Sequence, residues 1–216
     1  MKGRVSEIFE SIQGEGIYLG EKQLFVRLFG CNLNCKFCDT RLKHFIEYEP
    51  QELAEKIKQY QDSYHSISFT GGEPLIQKEF LKETMKLTRQ MGYKNYLETN
   101  GTLTQNLAEV MEYVDIIAMD IKLPSSTGMS NLWQQHRSFF KLASQKEAFV
   151  KMVICQVTDA RDVREALRLI KDIDRSAVLV LQPNSFEDSH QMRRKLERIK
   201  NLCNKSNITT LSLIHI

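Results

Sequence analysis

Three thiols crowd into eight positions, Cys31-Asn-Leu-Asn-Cys35-Lys-Phe-Cys38, a C-x-x-x-C-x-x-C arrangement. Three thiolates on one short loop can hold three irons of a cubane 4Fe–4S cluster and leave the fourth iron without a protein ligand. An electron-transfer cluster usually takes four cysteines. An iron with an open coordination position can bind a small molecule and change it, so the spacing points to chemistry at a cluster. Two other readings use the same residues. Structural zinc normally closes with four ligands, but Cys155 and Cys203 are isolated and distant, which leaves His44 as a fourth candidate. A disulfide framework fits an odd count of five cysteines poorly.

A loop can present three thiolates together only if rigid elements flank it. Strand-like runs are expected at 23–29, 66–70, 95–98, 115–121, 148–157, 177–181 and, last, 208–214. Helical patterns separate them at 50–61, 77–91, 107–113, 132–142 and 162–173, with a basic helix after Gln182-Pro183. In 77–91 the expected inward face is Phe80, Leu81, Met85, Leu87 and Met91; the stretch 123–130 reads as a loop. Such alternation implies right-handed crossovers and a parallel sheet. About six units fall short of the eight of a closed barrel. The predicted fold is therefore α/β, a partial, open TIM-like (β/α) barrel of about six parallel strands, with a flat doubly wound sheet as the alternative. No repeat, low-complexity tract or linker divides it, so residues 1–216 are expected to form a single domain. In a parallel barrel, ligands meet the C-terminal ends of strands. The cysteine loop, Thr70-Gly71-Gly72-Glu73-Pro74, Glu98-Thr99-Asn100, Asp120 with Lys122, and Gln182-Pro183 all fall at those ends.

Composition narrows the classes. With 42% hydrophobic residues the chain is globular, and no apolar run approaches a membrane span. No apolar stretch follows Met1-Lys-Gly-Arg-Val-Ser-Glu, so no leader and a reducing cytoplasm are expected. The net charge of +3 demands no nucleic acid. The densest basic stretch, Arg193-Arg194-Lys195 with Arg198 and Lys200, accompanies an apolar face of Met192, Leu196, Ile199 and Leu202 and reads as that helix's solvated side.

A lone G-G-E-P is a tight turn. About forty residues after a three-cysteine loop, it resembles the radical S-adenosylmethionine (radical SAM) superfamily. Ser11-Ile12-Gln13-Gly14-Glu15-Gly16, 25–33, Cys38-Asp39-Thr40, Glu98-Thr99-Asn100-Gly101-Thr102 and Gln182-Pro183 resemble, more narrowly, the 7-carboxy-7-deazaguanine synthases. The resemblance implies a 4Fe–4S cluster whose open iron is chelated by SAM, and a 5′-deoxyadenosyl radical released when an electron cleaves the sulfonium. It implies ring contraction of 6-carboxy-5,6,7,8-tetrahydropterin to 7-carboxy-7-deazaguanine with loss of ammonia, SAM being regenerated. It also implies Mg²⁺, a reductant such as flavodoxin or ferredoxin, and a homodimer, with no direct nucleic-acid or membrane partner.

Matched motif by motif, the resemblance makes Cys31, Cys35 and Cys38 the cluster ligands and Thr40 a Mg²⁺ ligand. Phe37, Cys38, Asp39, Gly72, Asp120, Lys122 and Gln182 would contact SAM. Ile12, Gln13 and Gly14 would meet the pterin, Arg27 would take a substrate carboxylate, and Thr70 would face the substrate. No residue is assigned a catalytic role of its own. Plainer readings are a salt-bridged strand arginine for Arg27, a turn cap for Gln13, a helix cap for Thr40 and a solvated lysine for Lys122; Glu15 either contacts substrate or fixes its loop. The chain departs from the family pattern at Asp120-Ile121-Lys122, where Ser-Pro-Lys is common. It departs again at its C-terminus, where only His215 resembles the usual histidine segment. Competing functions are an activating enzyme for a glycyl-radical protein, which shares the cysteine and glycine motifs but needs no S-I-Q-G-E-G, and a non-catalytic Fe–S protein.

Overall fold

The computed structural model describes residues 1–40, 42–187 and 189–212. His215 and the end of the strand expected over 208–214 lie outside them. One open sheet runs through the described residues in the order β3-β1-β2-β4-β5-β6-β7-β8-β9. Its strands are β1 (Gly3–Ile12), β2 (Lys22–Leu28), β3 (Ile46–Tyr48), β4 (Ser66–Gly71), β5 (Asn95–Thr99), β6 (Ile116–Asp120), β7 (Glu147–Ile154), β8 (Leu179–Pro183) and β9 (Thr210–Ser212). From β2 to β9 every pairing is parallel, giving the open α/β barrel expected, with seven parallel strands where the sequence reading has about six.

The antiparallel edge is a correction. β1 pairs with β2 (Ile8 opposite Val26) and β3 with β1 (Arg4 opposite Glu47). Only Gly3 and Val5 of β1 are buried. Its strand conformation comes from the ladder it makes rather than from an apolar pattern, so periodicity has nothing to detect.

Helices pack on the outer face: α1 (Pro50–Lys58), α2 (Lys78–Gln90), α3 (Thr104–Val110), α4 (Pro124–Thr127), α5 (Trp133–Ala143), α6 (Ala160–Ile173) and α7 (Ser189–Asn204). α1 starts with Pro50 in its first turn behind a Glu49–Glu52 capping box. α4 is one turn inside the stretch expected as loop, ended by Gly128 in the left-handed region (φ +71°). In α2 the buried face is rotated from the expected one. Thr84 and Thr88 are fully buried and Leu87 only half-buried. The threonine hydroxyls donate back to the carbonyls of Phe80 and Thr84 at 2.9 and 3.1 Å, which satisfies them inside the core.

Strand alternation separates two environments. Leu24, Val26, Ile67, Phe69, Leu97, Ile117 and Met119 face the helices in the main core. The opposite residues face inward and form two stacked layers. Tyr96, Ile116, Ala118, Phe149 and Val180 make a small apolar cluster, closed by Ile17 and Tyr18 from the turn after β1. Tyr18 is also bonded to Glu147. Two residues further along the strands, the inward positions are Arg27, Thr70, Glu98, Asp120, Lys151 and Gln182. The lower layer plugs the barrel and the upper layer lines what opens above it.

Candidate active site

The upper layer forms the base of a cavity of about 720 Å³, a size suited to a small-molecule ligand. Cys31, Cys35 and Cys38 line it, with Phe37, Asp39, Thr40, Gln13, Gly14, Gly72 and Lys122. Of the residues expected at a site, Ile12 alone is not brought there. It ends β1 with its side chain 56% exposed and does not line the cavity.

The glycine turn has a steric reason for its composition. Gly71 has φ +133°, and a Cβ there would lie 2.1 Å from the Leu28 carbonyl oxygen. A Cβ on Gly72 would lie 2.0 Å from the Gly30 oxygen and 3.0 Å from the Cys31 Cβ. The turn after β4 is therefore pressed onto the chain entering the cysteine loop, and Gly72 N–H and Glu73 N–H donate to Leu28 and Gly30. Glu73 is fully buried, its carboxylate accepting from the Leu75 and Asn100 amides (3.1 and 2.7 Å) and the Thr99 hydroxyl (2.9 Å). Burial pushes its pKa up to about 7, against the opposing pull of those donors.

The cysteine loop is held from both sides. Lys36 N–H donates to Thr127 O at 3.0 Å, and Asn100 Nδ2 donates to Asn32 Oδ1 at 2.8 Å and approaches Cys31 Sγ at 3.9 Å. Burial pushes the Cys31 and Cys35 thiols up; the Leu33 amide and Lys122 pull Cys31 back, and Lys122 does so at Cys35. Among the described residues no three Cys, His, Asp or Glu side chains converge as ligands of one ion. Three thiols that each take a different iron must stand further apart than that. The donor set, all thiol and all on one loop beside a buried cation, fits a cluster better than zinc.

On the β6 side, Lys122 Nζ donates to Asp120 Oδ2 at 2.7 Å and sits 5.3 Å from the Phe37 ring centroid. Asp120 Oδ1 and Gln182 Oε1 are buried without a protein partner. These two acceptors at the cavity fit a ligand rich in donors, such as the ribose and amino groups of SAM. Lys122 is anchored from behind by His136 of α5, a fully buried residue absent from the sequence reading. Its Nε2 accepts from Lys122 N–H at 3.1 Å and its Nδ1 lies 3.0 Å from the Gly101 carbonyl. An amide can only donate and a carbonyl only accept, so the ring is neutral with its proton on Nδ1. Burial lowers its pKa to about 4.

On the β2 side, Gln13 Nε2 donates to Gln23 Oε1 and Glu98 Oε1, each at 3.0 Å, and Thr70 donates to Glu98 Oε2 at 2.9 Å. Arg27 donates through Nε to Glu7 Oε2 at 2.9 Å and lies 5.4 Å from the Phe9 ring centroid. Thr40 donates to Asp39 Oδ1 at 2.9 Å. Glu15 is ion-paired with Lys151 of β7. The sequence places Glu98 at a strand end and in a motif without assigning it a contact, and it does not single out Lys151. The signal that finds them is their inward register: each is a charged residue two positions beyond a buried aromatic, Tyr96 or Phe149.

Comparison with known proteins agrees with this geometry. Residues 26–196 match the family model of the Radical SAM superfamily. A 7-carboxy-7-deazaguanine synthase of Geobacter sulfurreducens is 34% identical over 202 residues, covering 83% of this chain and 80% of the relative. One of Archaeoglobus fulgidus is 36% identical over 188 residues, covering 80% of each. The crystal structure of QueE from Escherichia coli superposes with a TM-score of 0.69 at 22% identity, covering 99% of this chain and 95% of that one, a likeness of fold. The chain belongs to the radical SAM superfamily and, within it, to the 7-carboxy-7-deazaguanine synthase family.

Proposed function

We propose that the chain is a radical SAM carbon–nitrogen lyase that contracts the ring of 6-carboxy-5,6,7,8-tetrahydropterin to 7-carboxy-7-deazaguanine, releasing ammonia, in deazapurine biosynthesis of the queuosine type. The observation that carries it is a single cavity lined at once by the three cysteines, Gly72, Asp120, Lys122 and Gln182 and by Gln13, Gly14, Arg27, Thr70 and Glu98. Cys31, Cys35 and Cys38 would hold the cluster; when bound, cluster and SAM supply one-electron hydrogen abstraction at pterin carbon 6.

The chain's own residues bind, orient and exclude. Asp120 Oδ1 and Gln182 Oε1 offer acceptors to SAM, and the Gly72 backbone at the cavity wall receives its amino-acid end. Arg27, bonded to Glu7 through Nε, receives the substrate carboxylate on the remainder of its planar fork. Gln13 and Thr70, both bonded to Glu98, present a fixed set of donors and acceptors to the pterin. The Phe149–Tyr96 layer beneath closes the barrel to water.

Thr40 would give one oxygen to Mg²⁺, an ion that fills its shell with substrate and water. A flavodoxin- or ferredoxin-type reductant, a homodimer and a cytoplasmic location belong to the same proposal; among the described residues no helix is long and apolar enough to cross a membrane. Reconstituted protein with SAM, reductant and carboxytetrahydropterin, read by mass spectrometry, tests the reading. It stands if 7-carboxy-7-deazaguanine forms and falls if only 5′-deoxyadenosine does.

A further inference from the structure

Lys151 is an unusual residue for the middle of a barrel strand. Its side chain is 14% exposed and is paired with Glu15, which reaches it from the turn after β1, 136 positions away in sequence. In the sheet it stands beside Asp120 (Asp120 opposite Lys151), and Gln182 lies on the next strand at Val153. It is therefore placed where the SAM-side wall meets the Gln13–Glu15 segment.

That segment needs a tether. A Cβ on Gly14 would meet nothing within 4 Å, and the backbone is anchored at one end only, where Gln13 N–H donates to Glu21 O at 2.8 Å and Gly20 N–H donates to Gln13 O at 2.9 Å. Beyond that backbone pairing, side chains hold it: Gln13 to Gln23 and Glu98, the Glu15 amide to Gln13 Oε1 at 3.0 Å, and the Glu15 carboxylate to Lys151. We propose that Lys151 is a positioning residue for the pterin, holding Glu15 and with it the Gln13–Glu15 backbone over the cavity. Burial alone would discharge the ammonium, but the fields of Glu15, Asp120 and Glu98 outweigh it and raise its pKa. The tether is thus a permanent cation across the working pH range. Its second consequence is electrostatic, since it offsets three carboxylates in a cavity that must admit a carboxylated substrate.

The inference rests on the pterin reading, and the two fail separately. In cluster-reconstituted protein, anaerobic calorimetry with carboxytetrahydropterin and with SAM would be run on the parent, Lys151→Met, Glu15→Gln, the double variant and Lys151→Arg. Each single variant is expected to weaken pterin binding about tenfold or more, as loss of a charge-assisted contact does, with SAM affinity changed less than threefold. Because Lys151 acts through Glu15, the double variant should lose little beyond either single one, and Lys151→Arg should restore most of the affinity. In turnover, Lys151→Met should raise the 5′-deoxyadenosine formed per product. Parent-like pterin affinity in Glu15→Gln, or losses that add fully in the double variant, would overturn the proposal even if Lys151→Met failed to fold. A parent that binds no pterin would sink the underlying reading instead.

Discussion

At Cys35, Arg27 and Thr40, residue type and place on the cavity wall make distinct demands. Cys35→Ala should abolish the visible absorbance and EPR signal of the reconstituted protein, whose parent should carry about four irons and four sulfides. Replacing the buried Cys155 or Cys203 should leave both intact. Tight zinc on anaerobically purified parent would contradict this. Arg27→Ala should weaken pterin binding by about 1.5–3 kcal/mol with SAM binding spared. Glu7→Gln, which breaks the Nε contact but keeps the guanidinium, should do much less; equal effects would make Arg27 a strand-pairing residue. Thr40→Val removes the hydroxyl that donates to Asp39 and keeps the shape. If the oxygen ligates Mg²⁺, the variant should retain its cluster and lose most of the Mg²⁺ stimulation of turnover. Among the described residues no helix starts at Thr40, so the plainer role left is its bond to Asp39, which predicts instead a stability loss of about 1 kcal/mol with metal dependence unchanged. These residues were legible because their motifs are contiguous in sequence. Glu98–Thr70 and Lys151–Glu15 were not, since such pairs exist only once strands far apart in sequence are set in register.

At the scale of the element, two buried groups on the helix side of the site titrate in opposite senses. His136 on α5 is held neutral, with its pKa lowered to about 4 by burial. Below the ordinary histidine value near 6.5, the unfolded chain takes up a proton that the folded one refuses, so this group's contribution to stability is lost as pH falls from about 6.5 toward 4. Glu73, just before the turn that starts α2, is raised to about 7 by burial. Between about 4.5 and 7 the folded chain holds the extra proton, so its contribution is lost as pH rises. The two slopes oppose each other across their shared window. His136→Gln keeps one donor and one acceptor but removes the titration. It should therefore make stability decline more steeply with rising pH, by up to about 1.4 kcal/mol per pH unit between about 4.5 and 6.5. Urea unfolding of parent and variant at several pH values measures it, and parallel curves would show that His136 does not titrate as described. The pattern over 132–142 predicts a helix, but nothing in it says that His136 on the inward face meets the chain leaving β6.

For the whole molecule, the parallel β/α order was legible because buried parallel strands are continuous apolar runs with helix patterns between them. The edge was not. β1 buries only Gly3 and Val5, and its ladders with β2 and β3 define it. The division between plug and cavity base follows from a period of two along each inward face, which becomes visible once β5 through β8 are aligned: Tyr96 below Glu98, Ala118 below Asp120, Phe149 below Lys151, Val180 below Gln182. SAM bound to the upper layer should stabilise the whole chain by mass action, adding about 2.7 kcal/mol at a hundredfold excess over its Kd. Calorimetric melting of the reconstituted protein with and without SAM measures this, and an unmoved transition would mean that the ligand does not engage the folded barrel.

The contact between Gly72 and Gly30 carries one more consequence. Two loops that belong to different strands share a van der Waals boundary with no room for a side chain, so neither can drift without displacing the other. Such a seam makes the cysteine loop and the glycine turn a single mechanical part. A lengthened or shortened cysteine loop should therefore unseat the turn after β4 unless that turn changes with it, and a segment grafted from another protein should fold only if it brings both loops together.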